Sequence, residues 1–180
     1  LSRRRYFMND MVILAKPHID TLSHEQGHSC VLVSICQCRC YVIYAARQAL
    51  GLPRDEQALL VEDLSWNATG RLLLSFMSSR ERKEFLKENT VTAKNMTKNK
   101  LTPSKLKKIK KNGYSIVEND SFMTGLAVPL FSGSTVVAAL GMYMNRSQCP
   151  LKKQKQYIKT MQNAAHEISY VFTNNHVRKQ

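Results

Sequence analysis

The 180-residue sequence has no long apolar run, no signal peptide and few acidic residues. Its longest uncharged apolar run, residues 136–144, is much shorter than the roughly 20 residues that a helix needs to cross a bilayer. The basic N-terminal segment contains Asn9 and Asp10, and it therefore lacks the apolar core of a signal peptide. These absences predict a soluble, cytoplasmic domain without a membrane partner.

Three common catalytic or nucleotide-binding motifs are also missing. The sequence contains no phosphate-binding P-loop, no G-x-G-x-x-G dinucleotide fingerprint and no G-x-S-x-G nucleophile elbow. Glu118 and Asp120 suit either a general acid–base pair or a turn that orients a polar group of a ligand, and we favour the turn. The sequence therefore predicts binding rather than catalysis, with no cofactor.

The five cysteines are odd in number, which argues against a disulfide scaffold when no secretory signal is present. Cys36, Cys38 and Cys40 alternate, and they would share a face if they lay on one strand. Structural zinc sites usually use Cys-x2-Cys pairs, and no second pair follows at the expected spacing, so we predict no metal site. A small redox enzyme that uses one of these three thiols is an alternative.

Positive charge is abundant and unevenly distributed. The formal net charge of +14 favours an anionic partner. Eight lysines and no acidic residue occur between Lys94 and Lys111. We expect a solvated surface there, because charge runs usually mark exposed faces. Direct nucleic-acid binding is the alternative, although no aromatic residue is interleaved to stack on bases.

Residues 113–144 carry the clearest structural signal. Two apolar runs of strand length, 124–131 and 135–143, flank Ser132-Gly133-Ser134, which is the pattern of a β-hairpin. Both runs are apolar on both faces. We therefore predict an interior hairpin covered by a layer on each side.

The two faces of this hairpin differ in bulk. One face is predicted to pack on helices through larger side chains, namely Val136, Ala138, Leu140 and Met142. On the other face Gly125, Ala127 and Gly141 are small, with Tyr143 beside them. Small residues on neighbouring strands leave room for a closely packed helix or for a small-molecule pocket, and the residues alone leave both alternatives open.

The remaining segments supply helices and a second hairpin. Strands are predicted over 29–35, 40–47, 58–61 and 114–117, and helices over 5–25, 68–77, 78–87, 102–112 and 150–174. Pro17 is expected to kink or restart the first helix. Residues 88–101 are expected to be irregular. Hairpin-linked strands with helices between and after them predict an α+β fold, an antiparallel sheet with helices on its faces.

Asn67 has the position of a helix N-cap, directly before Ala68, Thr69 and Gly70. The free N–H groups at a helix N-terminus attract anions. These three small residues would let a ligand approach the backbone. Tight packing of the helix against the sheet is the alternative explanation of their size.

Four stretches together resemble the effector-binding domain of the IclR family of bacterial transcriptional regulators. They are AKPHIDTL at 15–22, NATGRLLLS at 67–75, KNGYS at 111–115, and the hairpin with TGLAVPLF at 124–131 and VAALG at 137–141. Their combined order and spacing, rather than any single motif, carry the resemblance. It extends over nearly the whole chain.

This resemblance implies a GAF-like fold in which residues 1–26 are a linker and dimerisation helix and residues 27–180 bind the effector. It implies a homodimer or homotetramer that binds DNA through a winged helix-turn-helix domain absent from this chain. The effector would be a small metabolite, often a carboxylate, and the domain would not be an enzyme. The residues implicated in ligand binding are Ala68, Thr69, Gly70, Glu118, Asp120, Gly125, Gly141 and Tyr143.

Overall fold

The computed structural model describes residues 2–46, 59–119 and 122–177. Within these ranges the helices are α1 (Ser2–Gln26), α2 (Ala68–Phe76), α3 (Ser79–Glu88), α4 (Thr90–Lys98), α5 (Pro103–Asn112) and α6 (Leu151–Val177). The strands are β1 (Ser29–Cys36), β2 (Arg39–Ala46), β3 (Leu59–Val61), β4 (Ser115–Glu118), β5 (Met123–Ser132) and β6 (Thr135–Asn145). A short 3-10 turn, Arg146–Gln148, precedes α6.

The strands form a single antiparallel sheet in the order β3-β2-β1-β6-β5-β4. The β5–β6 hairpin lies inside this sheet, because β6 pairs with β1 and β5 pairs with β4. The predicted α+β class and the interior position of the hairpin are both confirmed. Alternating side chains of the hairpin therefore point to two different helix layers.

One face of the sheet, the α6 face, packs against α1 and α6. Its core contains large apolar side chains, among them Leu126, Leu140, Met142, Ile158 and Phe172. The opposite face, the α2 face, packs against α2, which in turn contacts α5. Its helices contribute Leu72, Leu74 and Leu106, whereas the strand positions beneath them are mostly smaller.

Local signals place the helix ends where the sequence predicts them. The Asn67 side chain caps α2, and Ser78 and Glu81 form a reciprocal capping box at α3. Thr102 caps α5, and Gly113 ends that helix in the left-handed conformation with φ 73°. These ends depend on groups only a few residues apart, which is why the sequence alone reveals them.

The segment 88–101 was predicted to be irregular, and this prediction is wrong, because it contains α4. The helix has no side-chain cap of its own. The buried Thr92 hydroxyl instead accepts from the Leu64 N–H at 3.0 Å and donates to the Glu62 carbonyl at 3.1 Å, and Asn95 donates to Asp63. Contacts with residues distant in sequence therefore position α4.

Two further details correct the sequence reading. Helix α1 continues through Pro17, so it does not restart there, and it ends at Gln26, before Gly27 with φ 68°. Val136 was predicted to face the same way as Ala138, but it packs on the α2 face, and Val137 packs on the α6 face. The register of β5 against β6 shifts between Leu130 and Phe131, and this bulge reverses the side-chain direction near the hairpin tip.

Candidate functional site

The candidate site is built around the N-terminus of α2. The Asn67 side-chain oxygen accepts from the Gly70 N–H at 2.6 Å and from the Thr69 hydroxyl at 2.9 Å. This cap fixes the first turn and the direction of the Thr69 side chain. Helix α2 contacts both β5 and β6, and its first two residues, Ala68 and Thr69, lie over Gly125 and Gly141.

Directly beneath this turn, the sheet presents a small-residue floor formed by Gly125, Ala127 and Gly141. Ala127 pairs with Gly141, and Gly125 pairs with Tyr143, so the floor and Tyr143 lie on one face. A Cβ added to Gly125 would lie 3.4 Å from the Ala68 Cβ. The floor therefore brings α2 close to the sheet.

Tyr143 lies across the small-residue floor. One edge of its ring, Cε1, is 2.8 Å from the position of a Cβ on Gly125, and the other edge, Cε2, is 3.1 Å from that of a Cβ on Gly141. Its hydroxyl is 3.2 Å from the Thr69 hydroxyl. Burial raises the pKa of Tyr143, while the hydroxyl and backbone N–H of Thr69 act in the opposite direction. The phenol is therefore neutral at pH 7.

A second polar group points to the same face. Ser115 pairs with Ala127 across β4 and β5, and it is therefore on the α2 face. Its side chain is buried, and within the described residues its hydroxyl oxygen has no hydrogen-bond partner. Buried hydroxyl groups usually have a partner, so this one is available to a polar ligand group beside the floor.

The structure brings together five of the residues predicted to bind ligand, and these are Ala68, Thr69, Gly125, Gly141 and Tyr143. Gly70 has a different surrounding. A Cβ on Gly70 would lie 2.4 Å from the Leu64 carbonyl oxygen and 2.5 Å from its Cα. Packing of α2 on the preceding loop therefore explains why this residue is a glycine.

Glu118 lies apart from this group. It pairs with Thr124 and points to the α6 side, where its carboxylate contacts the Arg146 guanidinium at 3.5 Å and the Gln154 amide at 3.4 Å. Asp120 lies outside the described residues. The structure therefore gives Glu118 partners that are distinct from the α2 N-terminus.

Residues 24–28 read His-Glu-Gln-Gly-His, which has the H-E-x-x-H spacing of a zinc-protease helix. Helix α1 ends at Gln26, and His28 lies beyond the left-handed Gly27. The two histidines therefore do not lie on one helical turn. His28 is buried, and its Nε2 is 3.1 Å from the Tyr157 hydroxyl. No cluster of three metal-ligating side chains occurs within the described ranges.

The alternating cysteines do not share a strand. Cys36 ends β1, Cys38 occupies the turn with φ 58°, and Cys40 lies in β2. Burial raises the pKa of Cys40 to about 12, which keeps its thiol protonated and unreactive at pH 7. This protonation disfavours a redox role for Cys40.

The lysines between Lys94 and Lys111 are exposed on α4, α5 and the segment between them. Within the described residues, none of them forms an ion pair within 4 Å. The solvated surface predicted from the charge pattern is confirmed. Its affinity for nucleic acid stays a prediction.

A groove of about 650 Å³ lies beside the outer half of β5, between α6 and the end of α2. Its lining includes Phe76, Lys110, Phe131, His166 and Tyr170. The groove lies where β5 extends beyond its shorter neighbour β4, and no local sequence pattern predicts it. It lies apart from the small-residue floor.

The six-stranded antiparallel sheet with helices on both faces defines an α+β domain. The sequence matches the family described as bacterial transcriptional regulator IclR C-terminal over residues 7–170. The chain therefore belongs to the IclR family, as its C-terminal, effector-binding type of domain. Comparison with curated protein sequences gave no match.

Solved structures of IclR-type regulators share this fold. The C-terminal domain of E. coli KdgR is 19% identical, has a TM-score of 0.74, and aligns over 91% of this chain and 99% of its own. The Thermotoga maritima IclR is 22% identical, with a TM-score of 0.72 and coverage of 91% and 68%. An IclR homologue from Microbacterium hydrocarbonoxydans, complexed with 4-hydroxybenzoate, is 18% identical, with a TM-score of 0.73 and coverage of 93% and 70%.

Within the described residues, no helix is both long and apolar enough to cross a membrane.

Proposed function

We propose that this domain senses a small carboxylate at the N-terminus of α2 and thereby controls DNA binding by a helix-turn-helix domain of the same regulator. The observation that carries the proposal is the capped first turn of α2 above the small-residue floor, within a chain of the IclR family. A helix N-terminus favours a carboxylate, and a floor of glycine and alanine suits an apolar ring or chain that takes the place of the Tyr143 ring. The 4-hydroxybenzoate complex of a related regulator supports a carboxylate in this fold.

Effector binding would act on assembly. A ligand that prefers one arrangement of a homodimer or homotetramer shifts the population of that arrangement and, with it, the spacing of the DNA-binding domains. For the intact regulator, we expect the ligand to change operator affinity in gel-shift titrations. Operator binding that is unaffected by every ligand of the folded domain would contradict this mechanism.

A thermal-shift screen of this chain tests ligand sensing directly. The panel should contain 4-hydroxybenzoate, other single-ring aromatic acids, sugar acids and short dicarboxylates, because binding to the folded state raises the melting temperature by mass action. Thr69→Val should weaken a true hit, since it removes the hydroxyl beside the α2 N-terminus. Thr97→Val changes an exposed threonine on α4 and should leave the hit unchanged. Equal loss in both variants would exclude this site.

We further propose that residues 1–26 link and dimerise the regulator. Helix α1 packs on the rest of the domain through four side chains that are fully buried or nearly so, Met11, Ala15, Ile19 and Leu22. Ile13 on the same helix is 68% exposed, which suits contact with a second copy. Ile13→Glu should weaken self-association in analytical ultracentrifugation. Leu151→Glu, at an 80% exposed leucine on α6, is the matched control.

Direct contact with nucleic acid is a second candidate, favoured by the exposed lysines between Lys94 and Lys111. Phosphate contacts release counterions, so such binding must weaken steeply as salt is raised. Changing Lys107, Lys108 and Lys111 to Gln should then reduce both affinity and salt dependence. Binding of this chain to duplex DNA that is absent, or insensitive to salt, would exclude the candidate.

A further inference from the structure

Tyr143 fills the position where the proposed effector would lie. The two glycines of the small-residue floor have no side chains to oppose its ring, and each lies under a different ring edge. A Cβ on Gly125 would lie 2.8 Å from Cε1, its nearest neighbour, whereas a Cβ on Gly141 would lie 2.6 Å from Thr69 Cγ2, 3.0 Å from Val31 Cγ2 and 3.1 Å from Tyr143 Cε2. The glycine at 125 is therefore matched to the Tyr143 ring, and the glycine at 141 is matched to the ring together with α2 and β1.

The hydroxyl of Tyr143 also occupies the polar end of the proposed site. It lies 3.2 Å from the hydroxyl of Thr69, the second residue of α2. Thr69 also carries one of the N–H groups left free at a helix start. Because the Thr69 hydroxyl donates to Asn67 Oδ1, it would accept from the O–H of a bound phenol, whereas a carboxylate, which only accepts, would need the backbone N–H groups.

Among the described residues, the hydroxyl of Ser115 is a buried polar group without a partner on the α2 face, as the hydroxyl of Thr124 is on the α6 face. Ser115, Ala127 and Gly141 form one row across three strands, next to the row that contains Gly125 and Tyr143. Nothing in the described chain satisfies that hydroxyl. A hydroxylated or carboxylated ring on the floor would lie beside it.

We propose that Tyr143 is a built-in ligand of the site between the α2 N-terminus and the small-residue floor. Its phenol occupies the site, and an effector must displace it. A variant chain without this ring binds a free para-substituted phenol in its place. This inference rests on the proposed function only for the location of the site. The ligand expected at this site is a single ring with one oxygen directed at the α2 N-terminus. Tyr143 is then also the residue that determines ligand specificity.

The direct experiment is to replace Tyr143 with Ala and add p-cresol, which is the tyrosine side chain as a free molecule. We expect Tyr143→Ala to lower the melting temperature by roughly 6–20 °C. Saturating p-cresol should recover most of that loss, and calorimetry should show one site per chain. The wild-type chain should bind no p-cresol at the same concentration. Absence of p-cresol binding to folded Tyr143→Ala would overturn the inference.

Toluene tests the role of the hydroxyl. One neutral hydrogen bond corresponds to about 2- to 10-fold in affinity, so Tyr143→Ala should prefer p-cresol to toluene by about that factor. Adding Thr69→Val should remove the preference and leave toluene binding intact. Equal affinity for both ligands in the single variant would contradict the assignment of the oxygen position.

Gly125→Val provides the matched control for the cavity. With the Tyr143 ring gone, the nearest remaining group to a Cβ on Gly125 is the Ala68 Cβ at 3.4 Å, an ordinary contact. The double variant of Gly125→Val and Tyr143→Ala should therefore fold, with the vacated space filled, and should not bind p-cresol. Undiminished p-cresol binding by the double variant would place the ligand elsewhere and overturn the inference.

If Tyr143→Ala does not fold alone, refolding in the presence of p-cresol asks the same question. Recovery of native signal that saturates with p-cresol supports the inference, and no recovery overturns it. Different outcomes would contradict the built-in ligand and the proposed carboxylate sensing. If Tyr143→Ala binds p-cresol and no panel acid binds either chain, the built-in ligand stands and carboxylate sensing fails. If panel acids bind both chains with equal affinity, sensing stands and the built-in ligand fails.

Discussion

The two faces of the β5–β6 hairpin use alternate residues of the same strands for opposite purposes. On the α6 face, Leu126, Leu140 and Met142 are completely buried against α6 and α1. On the α2 face, the corresponding neighbours are Gly125, Ala127 and Gly141, and the space above them holds the ring of Tyr143. One face is thus packed by large apolar side chains of the strands themselves, and the other is packed by the Tyr143 ring and the first turn of α2.

The packed core and the proposed effector site therefore use residues that alternate along the same two strands. A packed face loses stability whenever a side chain is shortened, because the cavity left behind cannot collapse fully. A face of small residues tolerates shortening better and resists enlargement instead, because helix α2 approaches it closely. The following substitutions test that contrast, from the largest expected effect to the smallest.

Leu140→Ala on the α6 face should reduce the free energy of unfolding by about 2–5 kcal/mol, the usual range for a buried leucine. Ala127→Gly is the matched truncation on the α2 face, and it should cost about 1 kcal/mol through loss of one methyl and added chain freedom. Urea denaturation followed by circular dichroism measures both. Similar losses in the two variants would show that the faces do not differ as described.

Gly70→Ala enlarges a residue on the α2 side and should cost about 1–3 kcal/mol, or more, by overpacking. The added methyl meets the backbone of Leu64 at 2.4 Å, and backbone moves less readily than a flexible side chain. Ser79→Ala, at an exposed position in the first turn of α3, is the control and should be nearly neutral. Thermal denaturation measures both variants. If Gly70→Ala has the melting temperature of the wild-type chain, the close approach of α2 to its preceding loop is refuted.

Tyr143→Phe keeps the ring and removes only the hydroxyl contact with Thr69. We expect a loss of about 0.5–1.5 kcal/mol, the net contribution of one neutral hydrogen bond. Tyr170→Phe removes a hydroxyl from a tyrosine that is 67% exposed and should have no measurable effect. If the two variants are equally stable in urea, the Tyr143 hydroxyl contributes nothing at the α2 N-terminus.

The smallest expected effect is the pH dependence of stability that His28 causes on the α6 side of the sheet. Burial, followed by the charge of Lys153, lowers the pKa of His28 below its ordinary value of 6.5. The unfolded chain therefore binds a proton more readily than the folded chain, so stability is full above pH 6.5 and declines as the pH falls below it. His28→Gln should flatten this decline in urea titrations between pH 7 and pH 5. His24→Gln, at an exposed histidine, should keep the wild-type slope.

Sequence reasoning succeeded where the deciding contacts are local. The caps of α2, α3 and α5 depend on side chains within three residues of the backbone groups they satisfy. The capping roles of Asn67, Ser78 and Thr102 could therefore be predicted from the sequence. The interior hairpin was readable because both of its faces are apolar. The helix α4 was missed because its buried Thr92 binds a loop about 30 residues earlier in the chain.

The same distinction applies to the candidate site. The small residues on β5 and β6 and the cap at Asn67 were visible as separate patterns, and the family resemblance joined them. Glu118 was grouped with them by its place in the sequence, yet one residue of strand alternation turns it toward Arg146. A hairpin bulge likewise moved Val136 to the opposite face.

The sequence by itself determined the class of the fold, the family and the residue types available to a ligand, since these follow from periodicity, local capping and the order of motifs. Only the tertiary structure decided which of those residues meet. Sheet register and the closeness of α2 place the Tyr143 ring over two glycines and its hydroxyl beside Thr69. Such a contact joins residues 74 positions apart, and no local pattern encodes whether the space between them is empty or filled.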